Sequence, residues 1–206
     1  YSPALLIDDT LVAVRDPWGF RPLVIGKRGD VWYVSSETCA LDLVGATTIR
    51  DIDPGEVVVL GPDGPRSLRI PMETHTHRLC SFEFVYFARP DSVIEGKSVY
   101  AVRKELGRRL ARKGPATGAD IVSGMPDSGT IAAMGFAQES GLSHETAVVR
   151  NRYVGRTFIE PTQRVRELGV RIKLNPITGV LAGKSVVVVD DSIVRGTTTR
   201  HVVMLL

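Results

Sequence analysis

The 206-residue sequence predicts two architectures in succession, an α+β segment rich in strands and then an α/β segment built on a mostly parallel sheet. Three observations carry this. Strand and turn signals dominate up to about residue 70, with little helical periodicity. After "IPMETHTHRLC" the apolar spacing turns helical. From there, short apolar runs alternate with helical stretches, the pattern of strands joined by crossover helices.

The elements follow in order. "LVAVRD" alternates as a half-buried strand does, and "RPLVIGKRGDVWYVSSE" reads as a hairpin turning around Lys27–Asp30. Residues 39–44 form a short helical candidate. "GEVVVLGPDGP" is a strand running into a Gly/Pro turn. From Gly96 a helix is expected, with Val99, Val102, Leu106 and Leu110 on one face and Lys and Arg on the other. "ADIVSGMPDSG" is a strand, a turn and a helix start, and "TIAAMGFAQESG" continues that helix to Gly141. "ETAVVRN" is the next strand, residues 151–175 are loop-like with some helical character, and "KSVVVVDD" is a third strand. The composition changes near residues 66–80, which places a boundary between domains 1–75 and 76–206.

Composition excludes several classes. Hydrophobic content is 43% and charged content 24%, ordinary for a globular protein. No apolar run approaches the ~18 residues that span a bilayer, so no membrane partner is expected. The net charge of +3 is too small to argue for nucleic acid. Two cysteines make no disulfide framework and point to a reducing, cytoplasmic setting. The first residue is Tyr and "HVVMLL" reads as a helix cut in mid-course, so both ends are expected to lie inside a longer protein. Between Arg150 and Lys173 stand seven basic residues against two acidic ones. Such a stretch suits an anionic small ligand, a nucleic acid, or nothing beyond solubility.

The richest chemistry lies in "SVVVVDDSIVRGTTTRHVV", residues 185–203. Four valines without alternation suit a central parallel strand buried on both faces. Ligands of open α/β sheets bind outside the carboxyl ends of the strands, where Asp190 and Asp191 fall. Gly196 permits a tight backbone, and Thr197, Thr198 and Thr199 lead into a helix whose first turn offers free N–H groups to an anion. Two carboxylates suit a metal or sugar hydroxyls, and the cradle beside them suits a phosphate. A Mg²⁺-bound phosphorylated sugar needs both. The plainer alternative is a strand end and a threonine helix cap.

This stretch resembles the phosphoribosyl-pyrophosphate (PRPP) signature of type I phosphoribosyltransferases, in the form "DDSIVRGTT" found in the glutamine PRPP amidotransferase family. "RDPWGFRPLVIG", "SSETCALDLVGA", "FEFVYFARPDS", "GMPDSG" and "NRYVGRTFI" resemble the same family, in the same order, across nearly the whole sequence. The resemblance implies that residues 1–75 end an N-terminal-nucleophile glutaminase domain and that 76–206 are a phosphoribosyltransferase domain truncated at its C-terminus. It implies an enzyme that makes 5-phosphoribosylamine, pyrophosphate and glutamate from PRPP, glutamine and water, the first step of purine synthesis. It implies PRPP contacts at Asp190, Asp191, Ser192, Val194, Arg195, Gly196, Thr197 and Thr198, and Mg²⁺ at Ser128, Asp190 and Asp191. Ser128 fits a helix cap equally well.

The same resemblance makes Arg150, Arg152, Tyr153 and Arg156 part of a loop that closes over PRPP. Arg150 stands where the family is expected to have Lys, which leaves its role open. The nucleophilic cysteine that releases ammonia from glutamine is absent from the chain, and neither Cys39 nor Cys80 is expected to serve. Cys80 stands where some members carry one of four cysteines of a [4Fe–4S] cluster. His75, His77 and Cys80 make only a weak zinc motif, and Cys39 reads as a small buried hydrophobe. The family further implies a homo-oligomer. Two other readings remain open, a PRPP-sensing regulator and a base-salvage phosphoribosyltransferase. Neither accounts for the "RDPWGFRPL" and "SSETCALDLVGA" segments.

Overall fold

The computed structural model describes residues 1–69, 71, 76–151, 174–193 and 196–206, without the side chains of Thr197, Thr198 and His201. It divides into two compact units, Tyr1–Val102 and Arg103–Leu206. Both mix helix and strand, and the second holds a parallel sheet.

The first unit runs β1 (Ala4–Ile7), β2 (Thr10–Val14), β3 (Val24–Arg28), β4 (Val31–Ser35), α1 (Thr38–Leu43), β5 (Thr47–Asp51), β6 (Glu56–Gly61), β7 (Gly64–Arg69), a π-helical turn over Glu83–Phe87, β8 (Val93–Ile94) and β9 (Lys97–Ser98). Strands β1-β2-β6-β7 form one antiparallel sheet and β4-β3-β5 another. The hairpin read around Lys27–Asp30 is β3–β4, with Lys27 opposite Trp32.

Alternation along these strands sends one face inward. Ala13, Leu23, Ile25, Ile52, Val58 and Leu60 meet between the two sheets. Burying a Val, Leu or Ile side chain is worth ~1.5–3 kcal/mol, so this seam holds the unit together. Helix α1 covers the other face of the β3 sheet through Leu41 against Val24 and Ala46.

The "RDPWGFRP" segment is a structural knot. Arg15, 1% exposed, donates through Nε to the Arg21 carbonyl (3.0 Å) and through Nη1 to that of Ile52 (2.7 Å). Its Nη2 reaches the Gly19 carbonyl (3.2 Å) and Glu95 Oε1 (2.7 Å). A buried guanidinium is tolerable only with such complete pairing. Asp16 accepts the Trp18 and Phe20 amides, each at 3.0 Å.

The compact unit therefore ends later than the composition change near residues 66–80. The Arg78 amide donates to the Trp18 carbonyl and the Cys80 amide to that of Phe20. Arg21 pairs with Glu83 at 2.7 Å. Glu37 accepts the Arg89 amide and the Ser92 hydroxyl, both at 2.7 Å, while Thr38 Oγ1 accepts the Val93 amide. Three of the sequence segments that carry the resemblance thus meet one another.

Helix α2 (Val99–Lys113) leads into the second unit, followed by β10 (Ile121–Gly124), α3 (Thr130–Ser140), β11 (Ser143–His144), β12 (Val148–Arg150), β13 (Leu174–Pro176), α4 (Thr178–Leu181), β14 (Val186–Val189) and α5 (Thr197–Leu205). Sheet order is β11-β10-β14, all parallel, and β12 pairs with β13 antiparallel. Ala111, Ala133, Phe136 and Ala137 cover one face of the parallel sheet, over Val122 and Val189. Met125, Val148, Leu174 and Val202 gather on the other, against Val188.

Two expectations change here. In β14, Val187 and Val189 pack on one face and Val188 on the other, which removes alternation. Among the described residues, however, β10 is the central strand and β14 borders the sheet. Helix α2 also turns a different face inward. Val99, Arg103, Gly107 and Ala111 are buried, whereas Leu106 and Leu110 are 41% and 50% exposed. The reason is backbone contact between helices. A Cβ on Gly107 would stand 1.8 Å from the Ala132 carbonyl oxygen, and one on Gly135 would stand 1.9 Å from that of Lys104. Glycine, not leucine, sets the crossing.

Candidate functional site

The register of β10 and β14 fixes the site. Ile121 lies opposite Val186 and Gly124 opposite Val189, so both strands end together. At the amino ends, Asp120 Oδ2 accepts the Ser185 amide at 2.7 Å. At the carboxyl ends the Met125 amide donates to the Val189 carbonyl at 2.8 Å. The turn after β10 then lies directly on the end of β14. A Cβ on Gly129 would come within 2.2 Å of the Val189 carbonyl oxygen and 3.1 Å of Asp190 Cα. Only glycine lets the "GMPDSG" turn approach so closely.

Asp190 and Asp191 leave the strand here, both half-buried. The Asp191 amide donates to Asp190 Oδ1 at 2.9 Å, and the Ser192 hydroxyl to Asp191 Oδ1 at 3.3 Å. Burial raises the Asp190 pKa above its ordinary value; the Asp191 amide opposes this and the Asp191 charge adds to it. Among the described residues no Lys or Arg pairs with either carboxylate. Among the described residues, two neighbouring carboxylates without a cationic partner make a setting that suits a cation.

Mg²⁺ fits that donor set, being a hard ion that takes one or two carboxylates and completes its shell with water and substrate oxygens. No group of three or more His, Cys, Asp or Glu side chains suited to a metal is found among the described residues, so the other ligands would come from water and substrate. Ser128 sits half-buried in the turn, and its hydroxyl has no hydrogen-bond partner among the described residues. It does not cap α3; the cap position is Gly129.

Helix α5 starts beyond Asp191. Its cap position is Gly196 with φ +70°, a conformation that glycine takes without strain, and no side chain caps it. Thr197 is thus the first helical residue, not the cap. The Arg200 amide donates to the Gly196 carbonyl at 2.8 Å as the first helical bond. The amides before it have no partner within the helix and carry the positive end of its dipole.

Of the basic segment, Arg150 is described. It ends β12, and its Nη1 reaches Asp127 Oδ2 in the turn at 3.2 Å. Arg152, Tyr153, Arg156, Val194 and Arg195 lie outside the described residues, as does His75. The site thus unites the 125–129 turn, the Asp190–Asp191 pair and Arg150. Sequence reasoning missed Asp127 and the close approach of Gly129. The glycine directly after "PDS" was the only available signal for either.

The cysteines stand apart. Cys39 is buried, its thiol 3.7 Å from Glu37 Oε2, and burial pushes its pKa up. Cys80 is half-buried and free. A [4Fe–4S] cluster takes four cysteines. This sequence holds two, so the residues present do not make that site. His77 Nε2 meets Glu95 Oε1 at 3.0 Å.

No family model matches the chain. Curated proteins do. The amidophosphoribosyltransferase of Mycobacterium tuberculosis is 54% identical over 199 residues, 97% of this chain and 37% of that protein. That of Bacillus subtilis is 48% identical over 206 residues, 100% and 43% respectively. That of Methanocaldococcus jannaschii is 49% identical over 218 residues, 98% and 46%. This chain is a relative of the amidophosphoribosyltransferases. It spans less than half the length of these relatives.

Solved structures agree with the amidophosphoribosyltransferase match. Glutamine PRPP amidotransferase from B. subtilis, complexed with ADP and GMP, superposes with a TM-score of 0.90 at 48% identity. The match covers 100% of this chain and 45% of that one. A structure described as the allosteric regulatory enzyme of purine biosynthesis gives a TM-score of 0.86 at 49% identity, over 95% and 42%. Among the described residues no helix is long and apolar enough to cross a membrane.

Proposed function

We propose that the carboxyl edge of the β11-β10-β14 sheet binds Mg²⁺ and PRPP, in a protein that forms 5-phosphoribosylamine, pyrophosphate and glutamate from PRPP, glutamine and water. The observation that carries this is the juxtaposition of the Asp190–Asp191 carboxylates, which meet no Lys or Arg among the described residues, with the Ser128 turn on one sheet edge. The kinship with amidophosphoribosyltransferases supports the choice of substrate.

The roles follow from the chemistry of each group. The carboxylates of Asp190 and Asp191 accept hydrogen bonds from the ribose hydroxyls and, with Ser128, hold Mg²⁺. The ion, when bound, neutralises charge on the pyrophosphate leaving group. The free amides at the start of α5, with Thr197 and Thr198, receive the 5′-phosphate, and Ser192, Val194 and Arg195 complete that loop. Ammonia forms a bond to the anomeric carbon as the carbon–oxygen bond to pyrophosphate breaks; the bonding electron pair leaves with pyrophosphate, and the new ammonium group gives its proton to water. Arg150, Arg152, Tyr153 and Arg156 cover the site and exclude water.

Ammonia requires a glutaminase nucleophile. Cys39 is a poor one, since burial disfavours its thiolate, and neither it nor Cys80 has that role. Two stacked sheets with a helix on the outer face support an N-terminal-nucleophile domain for the first part, assigned to residues 1–75. The phosphoribosyltransferase domain is assigned to 76–206. We assign Cys80 to an iron–sulfur cluster only in a longer protein, and place the enzyme in the cytoplasm as a homo-oligomer.

The test uses PRPP, Mg²⁺ and ammonia. Pyrophosphate release without any purine base supports the reading, and release only with a base supports base salvage. Binding of PRPP without pyrophosphate release under either condition supports a regulator. Asp190→Asn is expected to weaken PRPP binding at least ~10-fold, the cost of losing one charged ligand. Unchanged PRPP affinity in that variant refutes the assignment.

A further inference from the structure

Asp127 has no role in the proposed chemistry, yet it meets the one described basic residue that does. It lies in the turn after β10, one residue before Ser128 and two before Gly129, which touches the end of β14. Its Oδ2 accepts a hydrogen bond from Arg150 Nη1 at 3.2 Å, across 23 residues of chain. The side chains are 82% and 42% exposed. Ala147, three residues before Arg150, is anchored separately, its amide donating to Ser123 Oγ at 3.0 Å. The guanidinium is therefore delivered by a strand whose base is fixed to β10, and its end is held by the turn that carries Ser128.

The contact uses one nitrogen of a group with five N–H donors arranged to grip two oxygens at once. No second bond to Asp127 forms. Exposed pairs of this kind are weak and exchange readily. A phosphate or pyrophosphate at the sheet edge offers more charge and a bidentate face.

We propose that Asp127 is a positioning residue that holds Arg150 over the turn and releases it to the pyrophosphate group when substrate binds. Arg150 then exchanges one carboxylate partner for a polyanion. This rests on the reading of the sheet edge as a PRPP site. It adds that affinity for the anion is tempered by a competing carboxylate within the protein.

The experiment compares the wild-type chain with Asp127→Asn, Asp127→Glu, Arg150→Met and the Asp127→Asn/Arg150→Met double variant. Titration calorimetry at low ionic strength follows inorganic pyrophosphate, and separately PRPP, each with Mg²⁺. Asp127→Asn is expected to tighten pyrophosphate binding about 3-fold, the scale of a freed exposed pair. Asp127→Glu restores the wild-type value. With Arg150→Met present, Asp127→Asn changes binding by less than about 1.5-fold. In turnover, Asp127→Asn lowers KM for PRPP when Arg150 is present and not in the Arg150→Met background, a dependence that a purely structural role would not produce.

Weaker pyrophosphate binding in Asp127→Asn overturns the proposal. So does an equal gain with and without Arg150, or no pyrophosphate binding by any of the proteins. Failure of PRPP alone to bind rejects the substrate reading, while the pyrophosphate titrations still judge the exchange.

Discussion

Glu56 offers the sharpest test of the physical reasoning in the first unit. Its carboxylate is buried, 4% exposed, beneath Arg50. Arg50 grips it with Nη1 at 2.8 Å and Nη2 at 2.6 Å, the Ser67 hydroxyl donates at 2.5 Å and the Asp53 amide at 2.7 Å. Burial alone would raise its pKa. The four donors outweigh burial and bring it from 4.5 to about 2. The folded-state value lies below the unfolded one. The stabilisation is thus complete above pH 4.5 and is lost as pH falls towards about 2. A gap of about 2.5 pH units at ~1.4 kcal/mol each gives ~3 kcal/mol at pH 7, and linkage reduces it to about half at pH 3.

The perturbation is Glu56→Gln, which keeps the shape and removes the charge. Urea unfolding is followed by tryptophan fluorescence, which reports on the first unit because Trp18 and Trp32, the two tryptophans of the sequence, both lie there. The stability difference from wild type is expected to be ~2–3 kcal/mol at pH 7 and to fall to about half at pH 3. Equal differences at both pH values, or less than ~1 kcal/mol at pH 7, would refute the argument.

Two further expectations concern the crossing glycines and the thiols. Gly107→Ala and Gly135→Ala each drive a methyl into backbone, so each should cost ~1–3 kcal/mol despite the better helix propensity of alanine. Thermal unfolding by circular dichroism should show a Tm lower by several degrees. Gly179→Ala, which meets nothing within 4 Å, should be neutral or stabilising; equal effects at all three would sink the idea. With a thiol reagent at pH 8, Cys80 should react and Cys39 should stay protected until the protein is unfolded. Equal rates for both thiols in the folded protein would contradict the burial of Cys39.

Where patterning and local chemistry agree, the sequence was a good guide. The hairpin at Lys27–Asp30, the end of α3 at Gly141 and the strand before Asp190 all stand where alternation, turn residues and apolar runs put them. Helix α2 shows the limit. Hydrophobic periodicity selects the leucine face, but the buried face is chosen by how closely two backbones approach, and that depends on a partner helix some thirty residues away. The "RDPWGFRP" segment shows another limit. The sequence gives no role to its arginine and aspartate, while the structure uses them to tie chain segments together.

For the site, "DDSIVRGTT" by itself established which chemical groups are present and in what order: two carboxylates, then a glycine that permits a tight backbone, then a helix start. Those are local properties, set by residue type and spacing. Only the tertiary structure decided what stands beside them. Gly129 brings the Ser128 turn onto the end of β14, and Arg150 arrives from another strand to meet Asp127. Contacts between segments far apart in the chain follow from sheet register and close packing, and no window of sequence contains them.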